Sequence, residues 1–191
     1  MIIRFKIKNS IIFILVIIIY LLFFSPKNPT PPPYKFNTFK KVCAYYAAMC
    51  NIRSKNFCDN YQVARLNKVI DGDTIEVTIK DKIYKVRYIG IDTPEIDKKQ
   101  CFAKPAKDFN MILLDKSTIY LIKDVRETDK YGRLLRYVFT DRYFVNLELV
   151  RFGYAKTLTI PPDITFSSCF LRYQKNAQDK RLNIWSDKCR R

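Results

Sequence analysis

The chain has 191 residues, and its 35 Lys and Arg residues outnumber its 18 Asp and Glu residues, which gives a formal net charge of +17. A balance this basic favours an acidic partner, and nucleic acid and anionic lipid are the two main classes. The chain contains no histidine, which excludes every mechanism that uses imidazole, so catalysis must rely on carboxylates, Arg, Lys, Tyr, Cys or a metal held by oxygen.

An apolar run from Ile11 to Phe24 follows three basic residues near the N-terminus. This arrangement keeps an N-terminus in the cytoplasm. The run is short for a spanning helix and ordinary for a signal peptide. However, Phe23 and Phe24 stand where a signal-peptidase site needs small residues. We therefore expect residues 1–25 to be an uncleaved signal anchor with a membrane helix, and the alternative is a signal peptide that is removed on secretion.

Residues 26–60 are predicted to connect this anchor to the main domain. Four prolines between Asn28 and Pro33 preclude a helix or a central strand, and they predict an extended spacer. Alanine and aromatic residues then mix from Phe39 to Met49 in a helix-compatible pattern. This pattern predicts a short helix packed on the main domain.

Six cysteines favour an oxidising compartment over the cytosol. Three precede the main domain and three lie within it: Cys43, Cys50 and Cys58, then Cys101, Cys169 and Cys189. If all six form disulfides, the odd number in each region requires at least one bridge between the regions. Cys43 and Cys50 would lie about 10 Å apart on one helix, too far to bond to each other. Zinc is a weaker interpretation because no Cys-x-x-Cys pair is present, and free buried thiols remain an alternative.

Residues 61–191 are predicted to form one α+β domain. β-Branched, partly alternating segments predict five strands, over residues 63–70, 74–79, 83–91, 117–125 and 134–140. Helix-compatible patterns cover residues 105–114, 145–152 and 166–181. Five strands with a helix after the third suit a five-stranded OB-fold Greek-key barrel with about three helices.

Four sequence clusters in this domain carry its chemistry: VIDGDTI (residues 69–75), VRYIGIDTPE (86–95), TDKYGR (128–133) and LNIWS (182–186). Taken singly, each has a plain explanation, as a hairpin turn, a strand exit before Pro94, a second turn and a core segment around Trp185. Together and in this order they resemble the staphylococcal nuclease (thermonuclease) family over residues 61–186. The resemblance implies the same five-stranded OB barrel.

The resemblance also implies a Ca²⁺ site and a general base. Asp73, Asp92 and the backbone carbonyl of Thr93 would hold the ion, and Ca²⁺ prefers such hard oxygen ligands. Asp73 shares the parity of the apolar residues of its strand, so we expect it at the shielded rim of the barrel. Glu95, directed by the rigid Pro94, would activate water.

Arg87 and Arg133 match the two catalytic arginines of the family. Arginine suits the task because its planar fork binds two phosphoryl oxygens and stays charged. Arg87 lies among apolar strand residues, where an unpaired charge is costly, and this favours a functional interpretation. By resemblance, Lys130 and Tyr131 contact the terminal phosphate region of the substrate.

Two segments depart from the family pattern. Residues 157–162 contain no aromatic side chain, where relatives often have tyrosines that contact the nucleotide. Nucleotide preference is therefore open. The loop after Glu95 is short and contains Cys101. We hypothesise a disulfide between Cys101 and Cys189 that ties this loop to the C-terminus.

The resemblance to this family thus implies a Ca²⁺-dependent nuclease that hydrolyses DNA and RNA with little sequence preference and leaves 3′-phosphate ends. We expect a monomer without an organic cofactor, tethered to the cell membrane with the nuclease domain outside the cytoplasm, or secreted if the N-terminal segment is removed. One alternative is a catalytically inactive, membrane-tethered OB-fold module that only binds nucleic acid. Another is a tethered structural or adhesion protein. The presence of Asp73, Arg87, Asp92, Glu95 and Arg133 together argues against the inactive binding module. A structural or adhesion protein would predict that Arg87→Ala leaves the physiological role unchanged.

Overall fold

The computed structural model of the protein describes residues 38–54 and 56–189. Its α-helices are α1 (Phe39–Met49), α2 (Ala103–Leu114), α3 (Val145–Arg151) and α4 (Ser167–Asp179). Its strands are β1 (Gln62–Asp71), β2 (Thr74–Ile79), β3 (Lys82–Tyr88), β4 (Ile91–Asp92), β5 (Ile119–Ile122), β6 (Leu134–Phe139) and β7 (Lys156–Thr157). The short 3-10 helices Asn183–Trp185 and Asp187–Cys189 follow α4.

The predicted membrane anchor and the proline-rich spacer lie outside the described residues. Within residues 38–54 and 56–189, no helix combines the length and the apolar character that a membrane span requires. The domain boundaries at residues 25 and 60 therefore stay predictions.

Five strands close into a barrel in the order β1-β2-β3-β6-β5, and β5 pairs with β1 to complete the ring. β3 and β6 run parallel, and the other barrel pairs are antiparallel. Three helices, α2, α3 and α4, follow β4 along the chain. The closed α+β barrel confirms the predicted class and strand number, and it is consistent with the predicted OB fold.

The barrel core follows from the alternation of the strands. Ile75, Val77 and Ile79 point inward from β2 and are buried, while the residues between them are partly exposed. Burial of each such side chain stabilises the fold by about 1.5–3 kcal/mol. Helix α3 is more deeply buried than a surface helix, since every residue from Val145 to Val150 is shielded from solvent.

The segment before the barrel packs onto it, and we name residues 38–54 and 56–60 the N-terminal clamp. The Phe39 ring of α1 stacks on Tyr120 of β5, with ring centroids 4.3 Å apart. The Tyr46 hydroxyl donates a hydrogen bond of 2.8 Å to Oε1 of the buried Glu148 on α3. These contacts confirm the predicted short helix and its packing on the main domain.

Disulfides connect all six cysteines, which excludes the free-thiol and zinc alternatives. Cys43 bonds to Cys58 within the N-terminal clamp. Cys50 bonds to Cys169 on α4, which is the bridge between the two regions that the odd cysteine counts require. The third disulfide joins Cys101 to Cys189 and confirms the hypothesised tie between the loop after Glu95 and the C-terminus.

The third strand is shorter than predicted. β3 ends at Tyr88, and Gly90 adopts a φ of +79°, a left-handed conformation that glycine tolerates best. A Cβ atom at Gly90 would also lie 2.5 Å from the Phe170 ring. After this bend β4 leaves the barrel and pairs with β7 in a separate two-stranded sheet, which the sequence pattern did not indicate.

Trp185 also departs from its predicted place in the core. It lies on a short 3-10 helix and is only partly buried. The segment still packs on the domain, because the backbone N–H of Ile184 donates a 3.0 Å hydrogen bond to the carbonyl of Gly153.

Candidate active site

A cleft of about 420 Å³ opens where the β1–β2 turn meets β3 and the segment after β4. Six of the residues predicted from the sequence line it: Asp73, Arg87, Asp92, Thr93, Glu95 and Arg133. The two expected metal carboxylates, the expected base and both arginines therefore share one cavity, although they come from separate segments of the chain.

Arg87 is the central side chain of this cleft. Its Nη2 donates a 2.9 Å hydrogen bond to Oδ1 of Asp92, and its Nη1 lies 3.2 Å from Oδ2 of Asp73. Nη1 also donates to the backbone carbonyls of Tyr88 and Ile91, at 3.0 and 2.7 Å. These partners explain how a guanidinium group with only 12% of its side chain exposed is tolerated at this position.

The Asp73 carboxylate is fixed from both sides. Oδ2 accepts hydrogen bonds from the backbone N–H and the hydroxyl of Thr93, at 2.7 and 3.0 Å. Oδ1 accepts one from the Thr74 hydroxyl at 3.0 Å. Gly72 permits this approach, because a Cβ atom there would lie 2.6 Å from Oγ1 of Thr93. Asp73 is buried and faces the cleft, as its strand parity predicts.

Negative charge is concentrated in the cleft. Burial raises the pKa of Asp92, and the nearby carboxylates of Asp73 and Glu95 raise it further, against the opposing charges of Arg87 and Lys156. Like charges held this close disfavour ionisation of one another, whereas a bound cation would favour it.

Asp71 is a residue of the cleft that the sequence interpretation missed. The Asp71-Gly72 pair had a sufficient explanation as a hairpin turn, and the Asp71 carboxylate does accept a 2.8 Å hydrogen bond from the Gly72 N–H. Yet Asp71 also lines the cavity, and its pKa is raised by burial and by the charges of Asp73 and Glu95. Its place beside Asp73 was the available signal, because β1 ends at Asp71 and Asp73 lies in the turn that follows, so both carboxylates are at the same end of the hairpin.

The oxygen atoms of the cleft suit a hard divalent cation. Asp73, Asp92 and the backbone carbonyl of Thr93 are the ligand types that Ca²⁺ prefers. Burial, with a smaller contribution from the charges of Asp73 and Glu95, raises the pKa of Asp92, and a bound cation would favour its charged form. Within the described part of the chain, no three carboxylate or thiol side chains group closely enough to hold an ion by themselves.

Glu95 lies at the open side of the cleft. Its carboxylate is 48% exposed and forms a 2.7 Å ion pair with Nζ of Lys98. The backbone N–H of Glu95 donates to Oε1 of Gln100 at 2.9 Å, which holds the loop after Pro94. The carboxylate is therefore accessible to water.

Arg133 is oriented by Asp129, a second residue that the sequence interpretation missed. Nε of Arg133 donates a 2.7 Å hydrogen bond to Oδ2 of Asp129. Oδ1 accepts the backbone N–H groups of Tyr131 and Arg133. Burial acts to raise the pKa of Asp129, but the hydrogen bonds and charge of Arg133 outweigh it and the pKa is lowered. The turn requires Gly132, whose φ is +76°.

A second cleft of about 370 Å³ adjoins the first, and Arg87 and Arg133 line both. Lys130 and Tyr131 lie in this second cleft, with Nζ of Lys130 5.0 Å from the centre of the Tyr131 ring. Leu158 and Ile160 contribute an aliphatic wall from the segment that lacks aromatic residues. The two predicted substrate contacts are thus beside the carboxylates rather than among them.

Comparison with known proteins gives a consistent result. Residues 85–187 match the family described as staphylococcal nuclease homologue. The chain is 36% identical over 132 residues to a protein named thermonuclease from Staphylococcus hyicus, which covers 67% of this chain and 78% of the relative. It is 37% identical over 124 residues to a thermonuclease from Staphylococcus intermedius, which covers 63% and 74%.

Another relative matches this chain over a smaller share of its own length. An SPbeta prophage-derived endonuclease YokF from Bacillus subtilis (strain 168) is 35% identical over 127 residues, which covers 63% of this chain but only 43% of that protein. The family match over residues 85–187 includes the end of β3, all of β4 and the turn that carries Arg133. On the sequence match and the barrel together, this chain belongs to the staphylococcal nuclease homologue family.

Proposed function

We propose that this chain is a Ca²⁺-dependent nuclease that hydrolyses phosphodiester bonds of DNA and RNA with little sequence preference and leaves 3′-phosphate and 5′-hydroxyl ends. The observation that carries the proposal is the shared cleft of Asp73, Arg87, Asp92, Glu95 and Arg133. Relatives that are named as thermonucleases and as an endonuclease support the hydrolysis of nucleic acid.

Phosphodiester hydrolysis places negative charge on the phosphoryl oxygens as water attacks. Arg87 and Arg133 lie at the boundary of the two clefts, so their guanidinium groups can contact a phosphate from two sides. Asp73 and Asp92 hold the Arg87 fork in place, and Asp129 holds Arg133. Because these side chains are already oriented, little reorganisation is needed when the charge develops.

Glu95 is the proposed general base. Its exposed carboxylate accepts a proton from the attacking water, which then forms the new bond to phosphorus while the 5′-oxygen departs. The ion pair with Lys98 lies beside this carboxylate and limits its range of orientations. Lys130 and Tyr131 would contact the substrate beyond the scissile phosphate, since they line the adjoining cleft.

Asp73, Asp92 and the carbonyl of Thr93 would hold Ca²⁺, which when bound supplies positive charge at the phosphate and orients it. The position of Asp73, Asp92 and Thr93 in one cleft supports this choice of site.

We further propose that the enzyme acts outside the cytoplasm as a monomer. Three disulfides support an oxidising compartment. The apolar run from Ile11 to Phe24 supports a membrane tether with the barrel on the outer side, with secretion after signal cleavage as the alternative.

The test is digestion of plasmid DNA and of RNA by the purified chain in calcium, in magnesium and in EDTA, with end-group analysis of the products. We expect cleavage in calcium, none in EDTA, and 3′-phosphate ends. A folded protein that binds DNA but leaves it intact in calcium would instead support the inactive binding module.

A further inference from the structure

A groove of about 970 Å³ runs between β1 and α2, outside both clefts of the candidate active site. β1 contributes residues 63–69 to one wall, and the end of α2 with the loop that follows it contributes the other. Four basic side chains line it, and we name it the basic groove after them: Arg65, Lys68, Lys107 and Lys116.

The charge of the basic groove is poorly compensated. Lys68 lies 3.4 Å from Oε2 of Glu76. In the described ranges, Arg65, Lys107 and Lys116 form no salt bridge, and Asp115 is the one acidic side chain among the lining residues. Four cations against one carboxylate leave a surface that attracts a polyanion.

The basic groove leads into the active-site cleft along β1. Val69 lines the groove, and the next two residues, Ile70 and Asp71, line the cleft. A 3.3 Å hydrogen bond from Asn110 of α2 to the Asp71 carbonyl joins the two walls at this point.

The dimensions fit a nucleic acid strand. Six residue steps from Val63 to Val69 span about 20 Å at about 3.3 Å per residue, which equals about six nucleotides at about 3.4 Å each. Val63 and Met111 are 54% and 50% exposed beside the cations and offer apolar contact to sugars or bases. A planar lipid surface is a poorer match, since these groups line a concavity.

We propose that the basic groove is a second binding segment for the polynucleotide, which holds the strand several nucleotides away from the scissile bond. This inference rests on the proposed nuclease function. Its consequence is a preference for polymers over short substrates, because only a long strand can occupy the cleft and the groove together.

The test compares a dinucleotide with an oligonucleotide of about 20 nucleotides, which is longer than the about 4–16 nucleotides that an OB fold covers. In the full chain, Arg65→Gln with Lys116→Gln should lower kcat/KM for the oligonucleotide by about 10-fold and leave dinucleotide cleavage unchanged. The slope of log K against log salt concentration for oligonucleotide binding should also become shallower by about 1.4, which is about 0.7 for each lost phosphate contact.

The matched control is Lys41→Gln with Lys180→Gln, which removes the same charge from exposed positions on α1 and after α4. An equal loss in both double variants, or no loss in either, would overturn the proposal. If neither the wild-type chain nor any variant cleaves a substrate, the proposed nuclease function is contradicted. Fluorescence anisotropy with the labelled oligonucleotide then still tests whether the basic groove binds the strand. A variant that keeps oligonucleotide affinity but loses binding to phosphatidylserine vesicles would assign the groove to lipid and overturn the inference.

Discussion

The active-site cleft and the N-terminal clamp are built on opposite principles. The cleft collects charged side chains whose partners lie in short, contiguous motifs, and Arg87 is held by the buried Asp73 and the exposed Asp92, which both line the cavity. The clamp uses aromatic stacking, one buried hydrogen bond and two disulfides. The family match begins at residue 85 and so includes much of the cleft but none of the clamp.

This difference indicates that separate sets of residues determine turnover and resistance to unfolding in this chain. Changes in the cleft should alter turnover with little effect on unfolding, and changes in the clamp should do the reverse. The Cys101–Cys189 disulfide is the intermediate case, because it ties the loop after Glu95 to the C-terminal 3-10 helix.

The largest effect is expected from Arg87→Ala. It should lower kcat on DNA by on the order of 10²-fold or more, because a preoriented charge at the phosphate is lost. Arg87→Lys is the matched control, since it keeps the charge but loses the fork that contacts Asp73 and Asp92; it should fall between wild type and alanine. Steady-state kinetics in calcium make the measurement, and an alanine variant with wild-type turnover would remove Arg87 from the mechanism.

Removal of the clamp disulfide should affect stability alone. Cys50→Ser with Cys169→Ser opens a loop of 119 residues and should lower the free energy of unfolding by about 2–4 kcal/mol, with kcat unchanged on a dinucleotide. Cys43→Ser with Cys58→Ser, which opens a loop of 15 residues, should cost less. Urea denaturation measures both. If the variant without Cys50–Cys169 is as stable as wild type, or loses its turnover, then stability and turnover do not separate between clamp and cleft.

The disulfide beside the cleft should affect both properties. Cys101→Ser with Cys189→Ser frees the loop that follows Glu95, and a poorly positioned base should lower kcat/KM by about 10-fold. The variant should also unfold at lower urea concentration. Unchanged kcat/KM in a destabilised protein would show that the loop keeps its geometry without the covalent tie.

The smallest effect concerns Glu148, the buried acid beneath the clamp. Burial raises its pKa, against the charge of Arg151 and the hydrogen bond from Tyr46. An acid with a raised folded pKa contributes stability below its ordinary pKa of 4.5, and this contribution is lost as the pH rises through the folded value. Glu148→Gln should therefore gain stability relative to wild type, by on the order of 1 kcal/mol, as the pH increases through that window. Urea denaturation at several pH values tests this prediction. It would be contradicted if Glu148→Gln gained stability relative to wild type as the pH is lowered.

The sequence predicts those parts of the molecule that depend on residues close together along the chain. The strands of the barrel and the helices follow from periodicity. The eight predicted site residues come from short contiguous motifs; six of them line one cleft and the other two line the adjoining cleft, and their roles stay predictions. The positions of Asp71 and Asp129 were missed because turn formation already explained both residues. Each does stabilise a turn, and in addition Asp71 lines the cleft and Asp129 orients Arg133.

Contacts between distant positions could not be predicted in the same way. Arg136 is fully buried in β6, and its guanidinium binds Gln62, 74 residues away, and the Glu127 carboxylate. Nothing in the sequence around Arg136 distinguishes it from a surface residue. The short sheet of β4 and β7 is a similar case, because two residues per strand leave no periodicity to detect.

The three disulfides overlap along the chain in a way that bears on resistance to proteolysis. The loops closed by Cys43–Cys58, Cys50–Cys169 and Cys101–Cys189 together enclose every peptide bond between residues 43 and 189. A single proteolytic nick anywhere in that interval therefore leaves two pieces that remain covalently joined. Such a nicked molecule keeps its mass until a reductant separates the fragments, and a protease needs at least two cuts to release any part of the barrel.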